Sequence, residues 1–446
     1  MQRFLAALVV AALPGGAIAV TDADRLQIYH EFRAAFDNRH YQDALPLAQK
    51  LVAETEEQYG TADRSLVNPL SNLGTTQYRL HDYKNAEESF TRSVKIVESL
   101  GGGADRLLLR PLHGLGAAYY AAGEYEEASV ALKRALDLSR NLDGLFNAGQ
   151  MEILDPLIAT WVMLERHDEA ERQYEYSLRV AESAYGKSDA RLMRPIDKYA
   201  HWLERMHRYP NARALYARNL MIAEQIGGPG SVLTITPLEG LARTYRLEYA
   251  NRTEDEQRPP PDPFATTTDF DPSPANTQRL NTDGEKALIM ALQANERAQP
   301  IDRLRRGTTL VELGDWYMTS GATPKAVMVY REAWKDLRQV GATGPLDAPR
   351  QLAYLPPLAA VVRSKLTDRD EPEEHYVEVS FTVTREGHVT DVAVAATDAS
   401  ESQQRSVVSA IKKSHYSPRI QEAEAVDTQG VKFRERLLSK PSRKSS

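Results

Sequence analysis

Only a few short runs in this 446-residue chain have side chains and spacings that could do chemistry. Gly101-Gly102-Gly103 is flexible enough to suggest a phosphate loop, but no Lys-Ser or Lys-Thr pair follows to reach the phosphate and its metal. Gly227-Gly228-Pro229-Gly230 reads as the same kind of junction further along. Asp262, Asp269 and Asp271 hint at calcium, yet no twelve-residue loop pattern surrounds them. The ten histidines are scattered, and neither His-Glu-x-x-His nor Gly-x-Ser-x-Gly occurs. The chain has no cysteine, which excludes a disulfide framework, a thiolate zinc site, a cysteine nucleophile and a lipoprotein anchor. The reading is therefore no catalytic residue, no metal site and no cofactor. A formal charge of −7 leaves no basic excess to neutralise phosphates, so nucleic acid is not the expected partner.

What the chain has instead is a period. Tyr41, Tyr83, Tyr125, His167 and Tyr209 stand 42 residues apart, as do Ala44, Ala86, Ala128, Ala170 and Ala212, and Gly60, Gly102, Gly144, Gly186 and Gly228. Pro69 and Pro111 keep the same step, and so do Pro195 and Pro237. Each column suits one position in a pair of helices. Glycine can adopt the left-handed conformation that ends a helix. Proline can open the next one, where its missing N–H costs nothing. The aromatic fits the turn, and the alanine fits the place where two helices cross closely. Asp43, Glu126, Glu127 and Glu169 fall in first turns, where the helix dipole favours acids.

On these residues the chain resembles the tetratricopeptide repeat family. One unit gives Leu70, Leu73, Gly74, Ala86 and Phe90, the next Leu112, Leu115, Gly116, Tyr119, Ala128, Leu132 and Ala135, and a late one Leu310, Leu313, Gly314, Tyr317, Ala326, Tyr330 and Ala333. The longer period is similar to the extended repeats of kinesin light chains. The resemblance implies a right-handed α-solenoid of about seven helical pairs, mainly α, from near Asp24 to Val340. Aligned on the family's groove positions, Asn68, Arg79, Arg110, His113, Tyr120, Asp155, Arg194, Asp197, His201, Arg205, Glu239, Arg243 and Arg246 would line one face. Arginine suits bidentate capture of carboxylates, so the set points to a groove for an extended acidic peptide, anchored on Tyr120. The plainer reading of any one of these residues is a solvated helix face.

One unit reads as split. Residues 251–281, with Pro259-Pro260-Pro261-Asp262-Pro263, are read as a disordered insertion between a first helix over Pro237–Tyr249 and a second over Gly284–Arg297, where Ala287, Ala291 and Ala294 keep the small-residue spacing. After Gly341 the period changes to two. Tyr376–Thr384 and Val389–Ala396 alternate as strands around a turn at Gly387, Ser400–Ser414 has helical period, and Gly430–Leu438 alternates again, giving a small α+β domain in the order β-β-α-β. Gly387-His388-Val389-Thr390-Asp391-Val392-Ala393-Val394, Tyr416-Ser417-Pro418 and Val431-Lys432-Phe433 resemble the C-terminal domain of TonB-type energy transducers. That resemblance implies a sheet edge able to accept a partner strand, or else a cap for the last repeat.

The first residues read as a signal peptide: Arg3, an apolar run from Phe4 to Leu13, a break at Pro14-Gly15-Gly16 and Ala17-Ile18-Ala19 for cleavage. The expected plan is a signal over 1–19, solenoid over 20–250 and 282–340, insertion over 251–281, a TonB-like domain over 341–438 and a basic disordered tail over 439–446. The function expected is a periplasmic protein-binding scaffold of a Gram-negative bacterium, without a transmembrane segment once the signal is removed. The alternatives are an accessory that docks on outer-membrane receptor peptides by strand addition, and an enzyme of unknown type.

Overall fold

The computed structural model describes residues 22–255, 274–354 and 373–439. The expected signal, the centre of the expected insertion and residues 440–446 lie outside them. Contacts divide the chain into two units, the first ending at Gly186 and the second beginning at Lys187.

The first unit is four helical pairs: α1 (Asp22–Asp37) with α2 (Tyr41–Tyr59), α3 (Val67–Arg79) with α4 (Tyr83–Ser99), α5 (Leu109–Ala122) with α6 (Tyr125–Asp143), and α7 (Gln150–Met163) with α8 (His167–Tyr185). The second opens with three more: α9 (Met193–Arg205) with α10 (Tyr209–Gly227), α11 (Ile235–Asp255) with α12 (Pro274–Arg297), and α13 (Arg303–Thr319) with α14 (Thr323–Gln339). The columns hold. Tyr41, Tyr83, Tyr125, His167 and Tyr209 each begin a second helix. Ala44, Ala86, Ala128, Ala170 and Ala212 are all fully buried.

Two expectations need correction. Gly60, Gly144, Gly186 and Gly228 do not take the left-handed helical conformation. They sit at φ of 82–90° and ψ of 161–169°, an extended conformation at positive φ that is essentially glycine's own. In the second pair Gly102 does not carry the positive φ. Gly101 does, at 77°, and a Cβ on Gly102 would lie 2.8 Å from Val97. The prolines, too, stand slightly inside the helix: Pro69, Pro111, Pro195 and Pro237 are third residues, preceded by a short 3-10 turn. They remain in the first turn, where N–H groups have no helical acceptor. Asp63, Asp105 and Asp189, another 42-step column, cap three of those turns by accepting the N–H two residues on.

A further column was invisible in residue types. Arg39, His81, Gly123, Glu165 and His207 all have positive φ, between 55° and 86°. The N–H of the residue after each returns to the carbonyl five residues earlier at 2.8–2.9 Å, closing the turn between the two helices of a pair. The fourth pair departs from the pattern. Where Leu66, Leu108 and Leu192 are buried apolar plugs, Gln150 is buried, donating to the carbonyls of Gly144 and Leu145 and accepting from the Tyr176 hydroxyl. With these bonds satisfied, a polar plug is tolerated.

In the second unit, α11 runs on to Asp255 and α12 starts at Pro274, so helix occupies both ends of the range read as insertion. Ala287, Ala291 and Ala294 pack with Leu238 and Ala242 as a second helix should. Beyond α14 come β1 (Arg350–Ala353), β2 (Glu373–Val383), β3 (Val389–Thr397), α15 (Glu401–Lys412), β4 (His415–Ser417), β5 (Arg419–Gln421), β6 (Glu424–Val426) and β7 (Thr428–Ser439). The β-β-α-β order stands as an antiparallel sheet in the order β3-β2-β7, with Val377, Val379, Phe381 and Val383 turned towards Val407 and Ile411 of α15. β1 with β4, and β5 with β6, form two small ladders that the sequence reading missed. Leu346, Leu352 and Ile420 join the core of α13 and α14, so this domain covers the last apolar face. Among the described residues no helix is long and apolar enough to cross a membrane.

Candidate binding surface

The residues expected to line a groove stand mainly on first helices and end up in quite different states. In the first unit Asn68 is exposed in the first turn of α3, and Arg110 holds the same register position in α5. Arg110 donates to Asn72 Oδ1 at 2.7 Å. The Arg110 side chain reaches solvent, yet protein packed round its guanidinium removes enough water to push its pKa down; Arg33 adds to this and Tyr29 opposes it. Among the described residues no carboxylate pairs with Arg110. His113, one turn on, is half-buried, and burial lowers its pKa despite the neighbouring Glu152. It is therefore neutral at pH 7 and adds no charge. Tyr120 is half-buried against Tyr125, ring centroids 5.5 Å apart, and Asp155 is half-buried on α7.

Arg79 belongs elsewhere. It is the last residue of α3, two helical turns from Asn72, and lines a cleft of about 640 Å³ with Phe36, Arg39, Tyr41, Tyr78 and Tyr83.

The second unit shows the opposite arrangement. Arg194 and Arg205 are exposed, Arg205 over the Trp202 ring at 5.7 Å. Arg243 donates from Nε to both Glu204 oxygens at 3.0 and 3.2 Å and from its terminal nitrogen to the Tyr216 hydroxyl at 3.1 Å. His201 Nδ1 is 3.1 Å from Glu204, and its Nε2 is 3.7 Å from Asp197. Burial alone would raise the Glu204 pKa; the His201 hydrogen bond and the Arg243 charge overcome it and hold the carboxyl below its ordinary 4.5. Gly240 makes room for this cluster, since a Cβ there would lie 2.4 Å from the Tyr216 ring. Arg246 is buried, 3.6 Å from Glu312. Glu239 accepts from Arg305 at 2.7 Å and Thr309 at 2.6 Å. Deeper still, Tyr330 and Arg350 both donate to Asp315 Oδ1, at 2.7 and 2.6 Å. Burial raises the Tyr330 pKa well above its usual value, so the hydroxyl remains a donor.

Glu204, Glu312, Asp315, Tyr216 and Asn72 were missed by the sequence reading. A signal was present for two of them. Asn72 precedes Arg110 by 38 residues and Glu204 precedes Arg243 by 39. Three or four short of the repeat places the partner one helical turn along the neighbouring first helix. No group of three or more metal-ligating side chains is assembled among the described residues.

Comparison with known proteins agrees with the two-part plan. Residues 65–141 match the tetratricopeptide repeat family, and residues 369–434 match the Gram-negative bacterial TonB protein C-terminal family. Similar solved structures include the nearly identical TPR-like repeats of a Podosopora anserina kinesin light chain protein, at 15% identity, covering 45% of this chain and 95% of that one, with a TM-score of 0.42. BtubC (BKLC) from P. vanneervenii is similar at 16% identity over 56% of this chain and 87% of its own, with a TM-score of 0.36. The apo form of RapI is similar at 12% identity over 71% and 99%, with a TM-score of 0.40. No curated protein matches the sequence. Residues 65–141 thus carry tetratricopeptide repeats and residues 369–434 a domain of the TonB C-terminal type, a combination that points to protein partners.

Proposed function

We propose that this protein is a periplasmic scaffold that holds an extended acidic segment of a partner on the first-helix surface of its first unit, with Arg110 as the anion-binding group. One observation carries the reading: Arg110 is a partly desolvated cation whose bonded partner is a neutral amide, and the positive charge of Arg33 acts on it unfavourably. A carboxylate placed there gains a charge-assisted hydrogen bond without displacing an existing ion pair. Asn68 supplies an amide at the equivalent position of the preceding pair, and Tyr120 a flat apolar wall further along α5. The periplasmic setting draws support from the signal-like residues Arg3 to Ala19 and from the likeness of residues 369–434 to an envelope protein family.

The test is fluorescence anisotropy of the full chain with a labelled peptide of alternating Glu and Leu. Arg110→Gln should weaken binding about tenfold or more, as expected for loss of a hydrogen bond to a charged group. Equal affinity for the variant and the parent would sink the proposal.

A second reading is docking on receptor peptides by strand addition at the sheet, favoured by the outer edge of β7, which among the described residues pairs with β2 alone. Hydrogen exchange on the full chain in the presence of such a peptide separates the two readings: protection gathers on α3 and α5 in the first, and on β7 in the second.

A further inference from the structure

The sheet ends in two unlike edges. β7 is rich in charge, with Lys432, Arg434, Glu435 and Arg436. β3 has Asp391 and then runs Val392-Ala393-Val394-Ala395-Ala396, and among the described residues β2 is its sole partner strand. Val394 is 38% exposed, at the floor of a cleft of about 550 Å³ between β3 and α15.

The α15 side of this cleft has an internal symmetry. Its lining residues pair off about the helix midpoint, between Ser406 and Val407: Glu401 with Lys412, Gln404 with Ser409, and Arg405 with Val408. An identical helix laid antiparallel against it sets acid against base, amide against hydroxyl, and the alkyl stem of arginine against valine. No like charges face each other. Such self-complementarity is what a two-fold interface between identical chains requires.

We infer that the β3 edge and α15 form a two-fold interface with a second copy of this chain. β3 pairs antiparallel with its counterpart, and the two α15 helices lie antiparallel on one face of the joined sheet. The other edge, β7, stays outside this contact.

Sedimentation equilibrium of the full chain tests this. The parent forms a concentration-dependent dimer. Val394→Lys and Glu401→Lys each raise the dissociation constant about tenfold or more, and adding Lys412→Glu to Glu401→Lys restores dimerisation. Circular dichroism of each variant separates a lost contact from a lost helix. Because the chain has no cysteine, a mixture of Gln404→Cys and Ser409→Cys variants should cross-link on mild oxidation, well above the yield of either alone. A chain that stays monomeric up to roughly 100 μM overturns the inference and leaves the β3 edge to a foreign strand. So does a folded charge-swapped variant that fails to regain the dimer, or a mixture that cross-links no better than its components.

Discussion

Arg110 and Arg243 occupy first helices of two different pairs and look alike in sequence, yet one is an available cation and the other is spent. Arg110 meets the Asn72 amide; Arg243 meets the Glu204 carboxylate and the Tyr216 hydroxyl. The difference lies in the residue one turn along the preceding first helix. A cation saturated from within holds helices together, whereas a cation opposite an amide can take a ligand.

That contrast can be broken most sharply at the acid. Glu204→Ala leaves Arg243 without its carboxylate in a poorly solvated site and should cost about 3–5 kcal/mol of stability. Arg110→Ala, at a side chain with solvent access, should cost under about 1 kcal/mol. Urea unfolding of both variants measures the gap, and equal losses would erase the distinction. A smaller effect follows from acid. The Glu204 pKa is lowered in the folded state, so its contribution to stability is present above the ordinary carboxyl value of 4.5 and is lost as pH falls through the depressed folded value. Glu204→Gln should flatten the dependence of stability on pH below about 4.5, while Arg110→Gln leaves it unchanged. The smallest effect concerns the Arg134–Glu98 pair, at 2.5 Å but with both side chains about two-fifths exposed. Arg134→Ala should change stability by at most about 1 kcal/mol, vanishing in high salt. A larger loss would place exposed ion pairs beside the buried Arg243 cluster as a source of cohesion.

The helical pairs were legible because Tyr41, Ala44 and their successors each do one packing job at a fixed step, and side-chain type reveals packing. The left-handed turn residues were not, because Arg39, His81, Glu165 and His207 take positive φ under pressure from the two helices they join, against their own preference. The strands β1 and β4 to β6 run to three or four residues, too short for alternation to register. In the candidate site, Arg110 and Arg243 were both found by register, but their partners were not. Asn72 and Glu204 are buried polar residues on faces where repeat position predicts packing, so they draw no attention until the helices are brought together.

The position of the break between α11 and α12 has a consequence beyond folding. Elsewhere a single left-handed residue joins two helices, but here the chain leaves at Asp255 and returns at Pro274, and the helices still pack through Ala287, Ala291 and Ala294. The entropy of closing such a connection grows only slowly with its length. This junction is therefore a natural graft point, where a reporter domain or an affinity tag can be spliced in while the repeats on either side keep their register.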